Sequence, residues 1–76
     1  MNDHEVWSEF KNGSEAAFAQ IYRHHAKMLL AYGMKLVRDS DLVEDCIHDL
    51  FIELWERKTH LGHTDSIKLY LLKSLK

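Results

Sequence analysis

Not one proline interrupts this chain, and only Gly13, Gly33 and Gly62 loosen its backbone. Proline stops or kinks a helix by removing an N–H and colliding with the preceding turn. Without it, helices can run wherever apolar residues recur every three to four positions, and here they do so four times. Asp3 to Lys11 sets Val6, Trp7 and Phe10 on one side, with Asn2 or Asp3 as the cap. Asn12-Gly13 closes that segment and Ser14 opens the next. From Glu15 to Arg38 the inward stripe is Phe18, Ile21, Tyr22, His25, Leu29, Tyr32, Gly33, Leu36 and Val37, widened by smaller and flexible residues such as Ala17, Ala26 and Met28. Gly33 within it costs about 1 kcal/mol against Ala, which points to close approach of another helix. A turn at Asp39-Ser40-Asp41 follows, with Ser40 or Asp41 as the expected cap and capping-box spacing from Asp41 to Glu44. The third helix is expected over Asp41 to about Lys58, and Thr59 to His63 is a loop. Thr64 or Asp65 should cap a fourth helix carrying Ile67, Leu69, Tyr70, Leu71, Leu72 and Leu75. No strand pattern competes. The expected fold is all-α, a small bundle of three main helices plus a short N-terminal one.

With 76 residues the chain is a single domain that buries only a little over half of its unfolded surface and is marginally stable alone. Its 46% apolar content suffices for a helical core. One cysteine, Cys46, excludes any disulfide within the chain and fits a reducing cytoplasm. The acidic start, Met-Asn-Asp-His-Glu, does not resemble a signal peptide, and no apolar run reaches transmembrane length, so no membrane insertion is expected. The last residues, Leu71 to Lys76, lie inside an apolar periodic pattern with no stop signal. The expectation is a helix cut short, whose Leu71, Leu72 and Leu75 seek cover by self-association.

The net charge of −2 conceals a polarity. Asp39, Asp41, Glu44, Asp45, Asp49, Glu53 and Glu56 stand within residues 39–56 with no Lys or Arg among them. Arg57, Lys58, Lys68, Lys73 and Lys76 follow, against Asp65 alone. The third helix thus has two faces. One is apolar: Leu42, Val43, Cys46, Ile47, Leu50, Phe51, Leu54 and Trp55. The other is acidic. A helix selected for its own stability mixes signs, because opposite charges at i,i+4 help and like charges hurt. Charge of one sign suggests a basic partner, with Arg forming charge-assisted pairs to Asp45, Asp49 and Glu53. Ile52 supplies an apolar anchor among them, as an interface requires.

Other chemistry is poorly supplied. Among six histidines only His60 and His63 form a plausible local pair, so no metal site and no cofactor are expected. His25 lies on the apolar stripe and reads as a core-edge histidine with one hydrogen bond satisfied. Cys46 reads as a core-facing, inert thiol. Paired carboxylates such as Glu44-Asp45 have no Gly-rich turn or positioned Ser and His beside them, so the chain is not expected to be an enzyme.

Glu44-Asp45-Cys46-Ile47-His48-Asp49-Leu50-Phe51-Ile52-Glu53-Leu54-Trp55 resembles region 2 of bacterial sigma factors of the extracytoplasmic-function group, in the sigma-70 family. That pattern runs Asp, two apolar residues, Gln, an acid, apolar, Phe, two variable residues and Leu-Trp. Asp45, Asp49, Phe51, Leu54 and Trp55 fall in place, with His48 standing where Gln is usual. Ala17-Phe18-Ala19-Gln20-Ile21-Tyr22 followed by His25 is similar to the domain's opening, and Ile67-Lys68-Leu69-Tyr70-Leu71-Leu72 to the start of its next helix.

The resemblance implies a single region 2 domain over residues 1–76, truncated in its C-terminal helix, with the second, helix-turn-helix domain absent. It implies docking on the clamp helices of the largest RNA polymerase subunit through Asp45, His48, Asp49, Ile52 and Glu53. It further implies recognition and melting of the promoter −10 element. There a base flipped from the stack is held by the loop of residues 59–66, and single-stranded DNA by Lys68, Tyr70, Lys73 and Lys76. With so few lysines, nucleic-acid binding by this piece is expected to be weak and salt-sensitive. An anti-sigma factor masking the docking face and a bacterial cytoplasmic location belong to the same implication. The competing expectation is a non-enzymatic helical interaction or adaptor domain with a coincidental acidic helix.

Overall fold

Local signals set the first two helices. In the computed structural model, which describes residues 2–75, α1 spans Asp3–Lys11. Asn2 caps it by accepting from the Glu5 amide at 3.2 Å. At its other end Gly13 takes φ +95°, the left-handed region where a Cβ would be strained. That turn lets the Gly13 amide donate to Phe10 O at 2.9 Å and the Ser14 amide to Glu9 O at 3.0 Å, the pairing of a Schellman stop. Ser14 then accepts from the Ala17 amide at 3.1 Å and starts α2, Glu15–Leu36. A third helix, α3, spans Ser40–Glu56, a short 3₁₀ turn spans Lys58–His60, and α4 spans Ile67–Leu75. The fold is therefore an all-α bundle of three main helices plus the short N-terminal one; no strand occurs among the described residues.

The 22-residue α2 is the central post and touches all three other helices. Its buried line, Ala17, Ile21, His25, Leu29 and Gly33, advances by four residues, close to one helical turn each time. From α3 come Val43, Ile47, Phe51 and Leu54, and from α4 Ile67 and Leu71. Val6, Trp7 and Phe10 of α1 close the core from the N-terminal side. Aromatic rings occupy that end. Phe10 has ring centroids of Trp7, Phe18 and Trp55 at 5.4, 5.7 and 6.3 Å, and Phe18 meets Trp55 at 5.1 Å. Rings at such offset distances gain beyond the area they bury.

Several boundaries differ from expectation. The α2 helix stops at Leu36, and Val37 is extended at φ −138°. Leu36 and Val37 are consequently exposed, not part of the inward stripe. Asp39, rather than Ser40 or Asp41, caps α3, accepting from the Leu42 amide at 3.2 Å. The helix thereby begins a residue earlier, and Glu44 falls outside the position a capping box needs. For α4, Ser66 does the work assigned to Thr64 or Asp65: its hydroxyl accepts from the Leu69 amide at 3.3 Å. Asp3 of α1 adds an acceptor from 64 residues away, its carboxylate taking the Ile67 amide at 3.1 Å. Leu71 is fully buried within the bundle, and only Leu72 and Leu75 are partly uncovered.

His25 departs from its expected role. It is buried, 6% exposed, and its Nε2 finds no hydrogen-bond partner. Burial holds its pKa below the ordinary 6.5; His24 and then Lys68 push the same way, and Asp3 opposes them. As pH falls through 6.5 the unfolded chain takes up a proton that the folded chain resists. Stability contributed at this site is thus complete above 6.5 and lost as the pH drops toward the lower folded value. Urea unfolding at a series of pH values should show a loss of stability as the pH falls below the ordinary 6.5, and His25→Leu should diminish it. An unchanged slope in the variant would remove His25 as its source.

Candidate interaction face on the third helix

The exposed side of α3 is built by helical periodicity. Val43, Ile47, Phe51 and Leu54 turn inward. Roughly opposite, within an arc of about 140°, stand Asp45, His48, Asp49, Ile52 and Glu53, all exposed. Ile52 is 57% exposed, an apolar side chain with acids on both sides. Asp41, Glu44 and Glu56 extend the charged surface and are also exposed.

Two residues expected on the apolar face belong to this outer side. Leu42 is 48% exposed and Cys46 is an exposed free thiol. On the helical wheel Cys46 lies about 95° and Leu42 about 135° from the centre of the buried line, too far round to reach the core. The eight-residue apolar face is accordingly narrower than the sequence pattern. Leu50 and Trp55 form its half-buried margins.

The acidic surface is also less one-sided than residues 39–56 indicated. Arg57 reaches back to Glu53 at 3.1 Å, one turn away. Both side chains are more than half exposed, so the pair adds little stability. The i,i+4 spacing of Glu53 and Arg57 is legible in the sequence. Among the described residues no ion pair involves Asp41, Glu44, Asp45, Asp49 or Glu56. These five carboxylates are available to a cationic partner. On one flank a groove of about 320 Å³ runs between α2 and α3, bordered by Tyr22, Lys27, Leu30, Glu44 and His48. The His48 ring lies 6.4 Å from that of Tyr22.

The second set of expected residues is scattered. Lys68 and Lys73 are exposed on α4. Tyr70 is half-buried, its ring 5.2 Å from Trp7, so much of its face serves packing. Lys76 lies outside the described residues. The preceding loop is held by contacts that no local pattern announced. Trp7 Nε1 donates to Gly62 O at 2.9 Å, and Asp3 fixes the first amide of α4. Lys58 lies 4.0 Å above the Trp55 ring and donates to Trp55 O at 3.2 Å, so it is a packing residue rather than a free cation.

The histidines make no larger assembly. His63 meets Asp65 at 2.9 Å, and its ring centroid is 5.1 Å from that of His4. Among the described residues no group of three or more His, Cys, Asp or Glu side chains is arranged to hold a metal. No described helix is long and apolar enough to cross a membrane. Comparison with protein-family models, with curated proteins and with solved structures finds no match.

Proposed function

We propose that this chain is a non-enzymatic docking module of bacterial transcription initiation, region 2 of an extracytoplasmic-function sigma factor, which binds core RNA polymerase through α3. One observation carries the reading. The five positions named by the resemblance, Asp45, His48, Asp49, Ile52 and Glu53, lie exposed on one side of a single helix, with an apolar residue among acids. Such a surface fits a basic helical partner, here the clamp helices of the largest subunit. The acids steer and orient the encounter, and Ile52 supplies the apolar contact that desolvates it. In the full-length factor the loop pinned by Trp7 and Asp3 faces promoter −10 DNA, with Lys68 and Lys73 attracting phosphates. The site of action is the cytoplasm, where an anti-sigma factor covering α3 would silence the module.

The test is capture of purified core RNA polymerase by this chain and by an Asp45→Lys/Asp49→Lys variant. Circular dichroism reports whether each is folded. Both positions are exposed and unpaired among the described residues, so helicity should persist while binding weakens at least about tenfold at low salt. A folded parent that captures no polymerase would favour a helical adaptor with a different basic partner.

A further inference from the structure

The charges of this molecule are sorted between two helices, acids on α3 and cations on α2. Residues 16–38 contain Arg23, Lys27, Lys35 and Arg38 and not one Asp or Glu. The helical repeat arranges three of these cations. The buried row of α2 is Ala17, Ile21, His25, Leu29 and Gly33. Arg23, Lys27 and Lys35 each stand two residues from a member of that row, about 200° round the helix and so opposite the core. With Ala19 and Ala31 they make an i,i+4 row of their own, and all five are exposed. The exposed Gln20 and His24 lie beside it.

The fold gains nothing from this row. Arg23 and Lys27 are like charges one turn apart, which weakens a helix. None of the three cations takes part in an ion pair among the described residues. Glu44 of α3 borders the same groove as Lys27, yet the two do not pair. What the row lacks narrows its partner. A protein interface needs an apolar centre, and a helix lying on a membrane needs apolar side chains to insert. The large exposed apolar residues are Leu36, Val37, Leu42, Ile52 and Leu69, none of them in this row. Single-stranded nucleic acid is held by stacking on aromatic rings, and between these cations stands only alanine. A duplex backbone asks for less, because binding is driven by release of the counterions condensed on its phosphates. From Arg23 to Lys35 the row covers about 18 Å of helix axis, over which one strand of a duplex presents about five phosphates.

We propose that the solvent-facing row of α2, Arg23, Lys27 and Lys35, is a binding surface for the phosphate backbone of duplex nucleic acid. Contacts of this kind position a duplex and carry no base recognition. The surface shares no residue with the acidic face of α3 or with Lys68 and Lys73 of α4. It does not depend on the polymerase reading, and its test contains no polymerase. Three neutralised phosphates contribute a slope of about −2.7 to the logarithm of affinity against that of salt. The share of binding due to this row therefore falls about 40-fold as salt rises from about 50 to about 200 mM.

Fluorescence anisotropy of a short labelled DNA duplex, titrated with the chain at a series of salt concentrations, is the measurement. Arg23→Ala/Lys27→Ala/Lys35→Ala puts the best helix former at three exposed positions, so helicity by circular dichroism should persist. Its slope should be shallower than the parent's by about 2.7, and Lys27→Ala alone should remove about 0.9. Lys68→Ala/Lys73→Ala separates the two helices: the triple change made on top of it should still subtract the same amount. A single strand of the same sequence should bind less tightly than the duplex. Poly-glutamate and phosphatidylserine vesicles, matched in charge, should compete poorly. A parent that does not bind the duplex at low salt would overturn the proposal, as would a folded triple variant with the parent's slope. Tighter binding of the single strand would overturn it too. Equal competition by poly-glutamate would assign the row to an acidic protein instead, and equal competition by the vesicles to a membrane.

Discussion

Phe10→Ala should leave this chain unfolded at 37 °C. Phe10 is fully buried and belongs to α1, a helix of nine residues too short to persist without tertiary packing. Its ring meets Trp7 on its own helix, Phe18 on α2 and Trp55 on α3, so its removal opens a cavity where three helices converge. Truncating a buried Phe costs about 3–5 kcal/mol through lost transfer energy and residual cavity. A domain of this length has a total stability of only about 4–11 kcal/mol. The loss consumes most or all of the lower figure and about a quarter to nearly half of the higher. Urea unfolding of the parent and of Phe10→Ala at 10 °C and 37 °C measures it directly. A variant within about 1 kcal/mol of the parent would show that the aromatic end relaxes to fill the space.

The consequence reaches the candidate site. Trp7 and Asp3, which fix the loop before α4, lie on the same short helix and depend on the packing that Phe10 anchors. The exposed acids of α3 stand on a helix buried against α2, largely independent of α1. Partial loosening of α1 should therefore disturb the loop and α4 before it disturbs the acidic face.

The elements were legible because their signals are local. Asn12-Gly13-Ser14 announces a stop and a start within three residues, and the α1 bounds and the start of α2 agree with the sequence pattern. The outward side of α3 was legible for the same reason, since helical periodicity alone places Asp45, Asp49 and Ile52 together. Residue type and position part company at two places. Leu42 and Cys46 have the apolar character of inward residues, yet their angles on the wheel put them among the acids. Leu36 and Val37 continue an apolar stripe in sequence after the helix that defines its direction has ended. The contacts from Trp7 to Gly62 and from Asp3 to Ile67 span 55 and 64 residues, and no local spacing encodes them. The partner of α3 lies beyond both kinds of signal, because exposure and charge fix the chemistry of a partner and not its identity.

Gly33→Val should be the second severe lesion, and its cause is the opposite of a cavity. Gly33 is buried in the last turns of α2, where α3 crosses it. A Cβ placed there would stand 2.5 Å from Cγ1 and 3.4 Å from Cγ2 of Val43. Two terms compete. Replacing a mid-helix glycine releases up to about 1 kcal/mol of backbone entropy cost, less for a β-branched residue. Against it stands overpacking, typically about 1–3 kcal/mol for extra carbons forced into a packed interior. Valine brings three carbons into a space that does not admit one, so the net effect should approach about 3 kcal/mol of destabilisation. Gly33→Ala should be milder, because its single carbon meets a side chain rather than backbone and the helix gain is largest for Ala. The mechanism is tested by a double-mutant cycle. Val43→Ala alone should cost about 1–3 kcal/mol as a buried truncation. Combined with Gly33→Ala, it supplies the room the new methyl needs, and the pair should be clearly less destabilised than the two single changes added. Strict additivity would mean that Gly33 serves some need other than close approach to Val43. A recovered pair would locate at these two residues the contact that sets how closely α3, and the acidic face it carries, lies against α2.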